Sequence, residues 1–111
     1  MYKGTIVAES LKDIEILNNI KVISLKETDD ENVADRWHIY SVLVTDEEID
    51  ILEKQLKESW YTHFWNETKL IILFSNKKFI CDINDKTSWQ PAVDFGLSIG
   101  IPKEQLDFLM D

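Results

Sequence analysis

The chain has little cysteine, glycine or proline: one Cys, three Gly and two Pro among 111 residues. A single cysteine, Cys81, cannot form an internal disulfide or build a multi-cysteine metal site, so we expect a reducing, cytoplasmic location. Because Gly and Pro are the usual residues of turns and hinges, few positions could separate two domains. We therefore interpret residues 1–111 as one domain, a length that suits a single hydrophobic core.

Basic residues are also scarce, with 12 Lys and Arg against 21 Asp and Glu and a formal net charge of −9. Such a chain repels phosphate backbones and anionic lipid, so we expect neither nucleic acid nor a membrane as a partner. A basic protein or a cationic ligand suits the overall charge better. The longest apolar run, residues 70–74, is far shorter than the ~20 residues of a membrane-spanning helix.

Hydrophobic residues make up 44% of the chain, and their periodicity predicts the secondary structure. Apolar runs and residues alternating with a period of two predict strands. The predicted strands are residues 5–8, 21–26, 37–44, 61–65, 69–74 and 78–83. Between the second and third of them, residues 27–35 lose all periodicity and are rich in acids, which predicts a mobile loop.

Three helical segments are predicted from capping residues and apolar spacing. Ser10 is a candidate N-cap for a short helix over residues 11–19. Thr45 and Glu48 have the spacing of a capping box, which predicts a second helix starting there. Residues 88–111 are predicted as a C-terminal helical segment that packs on the sheet, with Ser88 as a cap, Gly100 at the C′ position and a short last helix after it.

This order of elements predicts an α+β fold in which an antiparallel sheet has helices on one face. Strand, helix, two strands, helix and further strands is the order of a ferredoxin-like βαββαβ arrangement with extra strands. The strands outnumber the four that such an arrangement needs, so the antiparallel sheet with one helical layer is the primary expectation.

The chain resembles a group of small uncharacterised prokaryotic proteins of unknown function over most of its first 80 residues. The residues that carry this resemblance are Lys3-Gly4-Thr5-Ile6, Glu9-Ser10-Leu11, Trp60-Tyr61 with Phe64, Ile72, Phe74, Asn76, Lys78 and Phe79. The resemblance implies a small cytoplasmic domain. It transfers no catalytic residue, cofactor or substrate to this chain.

Residues 60–65 are the most aromatic stretch of the sequence. A strand there sends Tyr61, His63 and Trp65 to one face and the alternate residues to the other. The set around His63 either is covered by the C-terminal segment near Trp89 and Phe95, or forms an aromatic wall for a peptide, a cation or a planar ligand.

No catalytic motif, cofactor site or metal site is predicted. His38 and His63 are the only histidines, and each could be a general base or metal ligand, but the sequence has no metal-binding histidine spacing. Cys81 alternates onto an apolar face, which indicates a structural thiol. Arg36 is expected to pair with a nearby acid, and the glycine-rich phosphate and nucleophile motifs are absent.

Two functional hypotheses follow. The first is a non-enzymatic binding or protein-interaction module, whose partner is a second copy of the chain or another protein. The alternative is a small-ligand binder or minor enzyme with a pocket between the sheet and the C-terminal segment. The residues predicted for the ligand or partner surface are Trp37, His38, Tyr61, His63, Trp65 and Trp89.

Overall fold

The computed structural model of the chain describes residues 1–27, 37–106 and 108. Its strands are β1 (Tyr2–Val7), β2 (Lys21–Glu27), β3 (His38–Val44), β4 (Tyr61–Asn66), β5 (Lys69–Phe74) and β6 (Lys77–Asp82). The helices are α1 (Asp46–Gln55) and α2 (Gln90–Ser98), with short 3₁₀ helices at Ala8–Ser10, Ile14–Asn19, Lys86–Trp89 and Lys103–Gln105. The predicted acidic loop lies outside the described residues from position 28 onward.

The six strands form one sheet in the order β2-β3-β1-β4-β5-β6, and every neighbouring pair is antiparallel. The predicted α+β fold with an antiparallel sheet is therefore confirmed. Strands β1 and β2 run in the same direction with β3 between them, and β3 and β4 do so with β1 between them. This is the split βαβ order of a ferredoxin-like sheet, extended at one edge by β5 and β6.

Helix α1 begins as its sequence predicts. The Glu48 amide donates to the Thr45 hydroxyl at 3.2 Å, and the Thr45 amide donates to the Glu48 carboxylate at 2.9 Å, which completes the capping box. Ile49, Leu52 and Leu56 are fully buried against the sheet. None of the described helices combines the length and apolarity needed to cross a membrane.

The first predicted helix is shorter than expected and has 3₁₀ rather than α geometry. Backbone hydrogen bonds join the Lys12 amide to the Gln55 carbonyl at 2.7 Å and the Lys57 amide to the Ser10 carbonyl at 2.8 Å. These bonds flank Leu11, whose extended backbone forms a β-bridge with Leu56. The helix consequently begins only at Ile14, capped by the Asp13 carboxylate rather than by Ser10.

Strand β5 divides the core into two layers. Ile71 and Leu73 point toward α1 and pack with Ile6 and Phe64, whereas Leu70, Ile72 and Phe74 point the other way, toward α2. The sequence predicted helices on one face of the sheet only. Helix α1 covers one face as expected, but α2 forms a second layer on the opposite face. The physical reason is that residues 70–74 are apolar at every position, so both faces of β5 have to be covered.

The layer that contains α2 covers only part of the sheet, since its core has no residue from β1, β2 or β3. We call the face of those three strands opposite α1 the open face. Its residues are half-buried or exposed. They are Lys3, Thr5 and Val7 of β1, Lys21, Ser24 and Lys26 of β2, and Ile39, Ser41 and Leu43 of β3.

The close contact of β1 with β4 gives a stability prediction. A Cβ atom added at Gly4 would overlap the Phe64 ring and lie 2.6 Å from the His63 carbonyl oxygen. We expect Gly4→Ala to lower the free energy of unfolding by about 1–3 kcal/mol, as overpacking does in other cores. Urea unfolding measures this, and Thr5→Ala, which changes the open face instead, is the control. An unchanged urea midpoint for Gly4→Ala would contradict the contact.

Candidate functional site

The aromatic residues of β4 alternate between the two faces as predicted. Phe64 is fully buried in the core beneath α1, and Thr62 is buried on the same face. Tyr61, His63 and Trp65 lie on the opposite face and are half-buried. This face is the continuation of the open face onto β4, because Thr5 of β1 pairs directly with His63.

The three rings on this face of β4 are stacked along the strand. The centroids of Tyr61 and His63 are 6.4 Å apart with their planes at 24°, and those of His63 and Trp65 are 5.4 Å apart at 27°. Phe108 of the C-terminal segment contacts Tyr61 edge-on at 5.5 Å and His63 at 6.1 Å. The C-terminal segment therefore covers this face in part through Phe108, whereas Phe95, which was expected there, packs against Phe74 and Phe79.

Beside this stack lies an open cavity of about 370 Å³, which we call the aromatic cleft. Trp37 and Trp60 form one wall, with ring centroids 5.1 Å apart and planes at 64°. Trp37 is 44% exposed. The residues that line the cleft are Thr5, Val7, Trp37, Ser59, Trp60, Tyr61, Thr62, His63, Ile101 and Gln105.

Two local features shape the cleft. Ser59 has a φ of 67°, a left-handed conformation that turns the chain from the end of α1 into β4 and sets the position of Trp60. On the other side, the Tyr61 hydroxyl donates to the Gln105 carbonyl and ties the C-terminal segment to the sheet. The cleft therefore lies between the sheet and the C-terminal segment, where the alternative hypothesis places a pocket.

The lining of the cleft is rich in aromatic residues. The described residues that line it include no Asp, Glu, Lys, Arg or Cys. Its polar side chains are the hydroxyls of Thr5, Ser59 and Tyr61, the Gln105 amide and the His63 imidazole. The Thr62 hydroxyl donates to the Thr5 carbonyl instead. Such a lining can stack on a ring and exchange a few neutral hydrogen bonds with it.

Three of the predicted surface residues lie outside this cleft. Trp65 extends the ring stack beyond His63. The Trp89 indole N–H donates to the Asp82 carbonyl at 2.8 Å, and its ring contacts Phe108. His38 lies on the α1 side of the sheet, because adjacent residues of a strand point to opposite faces and Trp37 is on the open face.

His38 is held between two carboxylates. Its Nδ1 lies 2.9 Å from Glu9 Oε2, its backbone amide donates to Glu9 Oε1 at 2.7 Å, and its Nε2 lies 3.3 Å from Glu27 Oε2. The hydrogen bond that the Glu9 carboxylate accepts from the His38 ring raises the pKa of His38. Burial acts to raise the pKa of Glu9, but the hydrogen bonds from His38 outweigh it and the pKa is lowered.

The remaining candidate residues have structural surroundings. Burial raises the pKa of the Cys81 thiol, in agreement with the predicted structural role. Among the described residues, His, Cys, Asp and Glu side chains form no group of three or more that could hold a metal ion. Arg36 and Asp35 lie outside the described residues.

Seven of the ten described residues that line the cleft were not among those predicted from sequence. Thr5 and Val7 join it because β1 pairs with β4, and strand order is not encoded locally. Ile101 and Gln105 belong to the C-terminal segment and carry no sequence signal of a site. For Trp37, Tyr61 and His63 the aromatic character and the strand alternation were sufficient signals.

Comparisons of the chain with protein-family models, with curated proteins and with solved structures give no match. The resemblance to small uncharacterised prokaryotic proteins stays a prediction. Function is therefore argued from the geometry of the site.

The contact of His38 with Glu9 predicts a pH dependence of stability. The pKa of His38 in the folded chain is raised above 6.5. Its contribution to the stability of the fold is therefore complete below that pH and is lost as the pH rises through the pKa of the folded state. The pKa of Glu9 in the folded chain is lowered from 4.5. Its contribution to the stability of the fold is complete above that pH and is lost as the pH falls through the pKa of the folded state. The pair therefore stabilises most between pH 4.5 and 6.5.

We expect His38→Gln to reduce the free energy of unfolding more at about pH 5.5 than at about pH 8.5, as measured by urea unfolding. Glu9→Gln should lower the pKa of His38 in an NMR titration, because it removes the carboxylate that stabilises the imidazolium. A His38 pKa at or below 6.5 in the wild-type chain would contradict this contact.

Proposed function

We propose that the chain is a non-enzymatic binding module whose aromatic cleft takes a small ligand with a planar ring. The observation that carries this proposal is one cavity lined by the edge-on pair Trp37 and Trp60 together with the stacked rings of Tyr61 and His63. A cytoplasmic location belongs to the same proposal and is supported by the single cysteine in the sequence.

The size and surface of the cleft support this proposal. A volume of about 370 Å³ is at the lower end of the range, about 300–1,000 Å³, of small-molecule pockets. Aromatic rings prefer offset-stacked or edge-to-face neighbours, so the rings of Trp37, Trp60 and Tyr61 that line the cleft can pack on the ring of a ligand. Thr5, Ser59 and Gln105 supply neutral hydrogen-bonding groups around the rings. These groups can orient the ring system of a bound ligand.

The lining also favours binding over catalysis. General acid–base or nucleophilic chemistry is usually carried by a histidine, carboxylate, cysteine or lysine next to a second reactive group. Among the described residues that line the cleft, His63 is the one side chain of those types.

The first test is an NMR titration of the ¹⁵N-labelled protein with indole-3-acetamide, an uncharged planar probe. Each of the four Trp residues has one indole N–H signal. We expect the signals of Trp37 and Trp60 to shift because both line the cleft. The Trp89 signal should stay in place, since its N–H is bonded to the Asp82 carbonyl outside the cleft.

A pair of variants makes this test specific. Trp37→Leu should weaken binding of the probe about fivefold or more, because it removes one ring contact of about 1 kcal/mol. Trp89→Phe, which removes an indole outside the cleft, should bind like the wild type. Equal binding by Trp37→Leu and wild type, or a response at Trp89 alone, would reject the cleft as the site.

A second candidate function, self-association, is favoured by the edge strand β2. All seven of its residues are exposed, including Val22, Ile23 and Leu25 at 38%, 51% and 55%. The outer backbone groups of an edge strand can pair with another strand. On the α1 side, an apolar groove of about 200 Å³ lies between the 3₁₀ helix Ile14–Asn19 and α1, lined in part by Ile16, Ile20 and Ile51. We propose a second copy of the chain as the partner there.

Self-association through β2 has a matched control on the opposite edge of the sheet. We expect the wild-type chain to form a dimer in sedimentation equilibrium and Leu25→Lys to shift it toward the 13.0 kDa monomer, because a charge on the edge opposes strand pairing. Ile80→Lys, at a position that is 62% exposed on β6, should leave the dimer intact. A wild-type monomer at all concentrations would exclude this candidate.

A further inference from the structure

A row of small polar side chains crosses the open face and ends in the aromatic cleft. The strand register places Ser24 opposite Ser41, Ser41 opposite Thr5, and Thr5 opposite His63. Directly opposed residues of antiparallel strands point to the same face. The hydroxyls of β2, β3 and β1 therefore lie in line with the imidazole of β4, and both Thr5 and His63 line the cleft.

Lysines lie on both sides of this row. Lys21 and Lys3 are opposite Leu43 on one side, and Lys26 is opposite Ile39 on the other. All three lysines are exposed. The described strand residues of the open face include no Asp or Glu, although the chain as a whole has a net charge of −9.

The lysines are close enough to act on a ligand in the cleft. Residues two apart on a strand are separated by about 7 Å, so Lys3 is about 7 Å from Thr5 between Cα atoms. Lys26 pairs with Ile39, which pairs with Val7. The Cα atoms of Lys26 and Val7 are therefore two strand spacings, or about 10 Å, apart. The four-carbon stem of lysine allows each ammonium group to turn toward the hydroxyl row.

We propose that the ligand of the aromatic cleft is a planar ring that carries an anionic group, a carboxylate or a phosphate. This inference rests on the proposed function and adds the charge of the ligand to it. The ring occupies the corner formed by Trp37 and Trp60. The anion lies over Thr5 and Ser41, whose hydroxyls can donate to it, and the ammonium groups of Lys3 and Lys26 neutralise it.

The position of the charges favours an anion over a cation in this site. Aromatic rings also attract cations, and the net charge of the chain indicates a cationic partner. Charges separated by more than about 8 Å are largely screened at physiological ionic strength, so a bound anion is acted on mainly by the charges beside it. Beside Thr5 and Ser41, the charged residues on the described strands of the open face are lysines. The acids Asp46, Glu47 and Glu48 begin α1, which packs on the opposite face of the sheet.

The test compares three probes that share one ring: indole-3-acetate, indole-3-acetamide and tryptamine, which are anionic, neutral and cationic. The indole N–H signals of Trp37 and Trp60 report binding. We expect indole-3-acetate to bind about three- to tenfold more tightly than the amide at low salt, as one or two exposed charge contacts would give. Tryptamine should bind most weakly, and added salt should reduce the preference for the anion.

Charge variants assign the preference to the open face. Lys3→Gln combined with Lys26→Gln should reduce indole-3-acetate binding to the level of the amide and leave amide binding unchanged. The control is Lys54→Gln combined with Lys12→Gln, which makes the same change in net charge at residues outside the open face. We expect this control to keep the preference for the anion.

The outcomes separate this inference from the proposed function. Equal binding of indole-3-acetate and the amide, or tightest binding of tryptamine, would overturn the anionic ligand and leave the ring-binding cleft in place. Loss of the anion preference in both double variants would show that net charge, and not the open face, is responsible. Absence of binding by all three probes would reject the proposed function itself.

Discussion

The close approach of β1 to β4 at Gly4 is the constraint on which the rest of the structure depends. Phe64 is fully buried against a position that has no side chain, and any Cβ there would collide with the ring and with the backbone of β4. Because β1 lies between β3 and β4, it joins the β2-β3 hairpin to the β4-β5-β6 meander. The same pairing places Thr5 opposite His63, so the candidate site depends on it directly.

The two halves of the sheet bury apolar surface differently, and the site lies where they meet. Strand β5 is apolar on both faces and is covered by α1 on one side and by α2 with the C-terminal segment on the other. Strands β1 and β3 bury Ile6, Val42 and Val44 on one face only. The second helical layer therefore ends at β4, and the edge of that layer forms one wall of the aromatic cleft.

Sequence predicted the features that depend on local interactions. The capping box of Thr45, the alternation along β4 and the C′ position of Gly100, which has a φ of 92°, are each determined by residues close together in the chain. The start of the first helix was missed because backbone hydrogen bonds with Gln55 and Lys57 hold Leu11 in an extended bridge to Leu56. Those partners are remote in sequence.

The candidate site was predicted only in part, because contacts between residues remote in sequence also bring it together. Trp37, Tyr61 and His63 were identified by their chemistry, but His38 was grouped with them although its strand position directs it to Glu9 on the other face. The lysines of the open face became a group only once strand order was known. Net charge describes the whole chain, whereas a ligand meets one face of it.

We propose that the open face and the aromatic cleft together form one binding site. Intermolecular nuclear Overhauser effects between indole-3-acetate and the labelled protein test this directly. We expect contacts from the probe's ring protons to Trp37 and Trp60 and from its methylene protons to Thr5. Contacts to Ile16, Ile20 and Ile51, in the groove beside α1, would contradict it and place the ligand on the opposite side of the sheet.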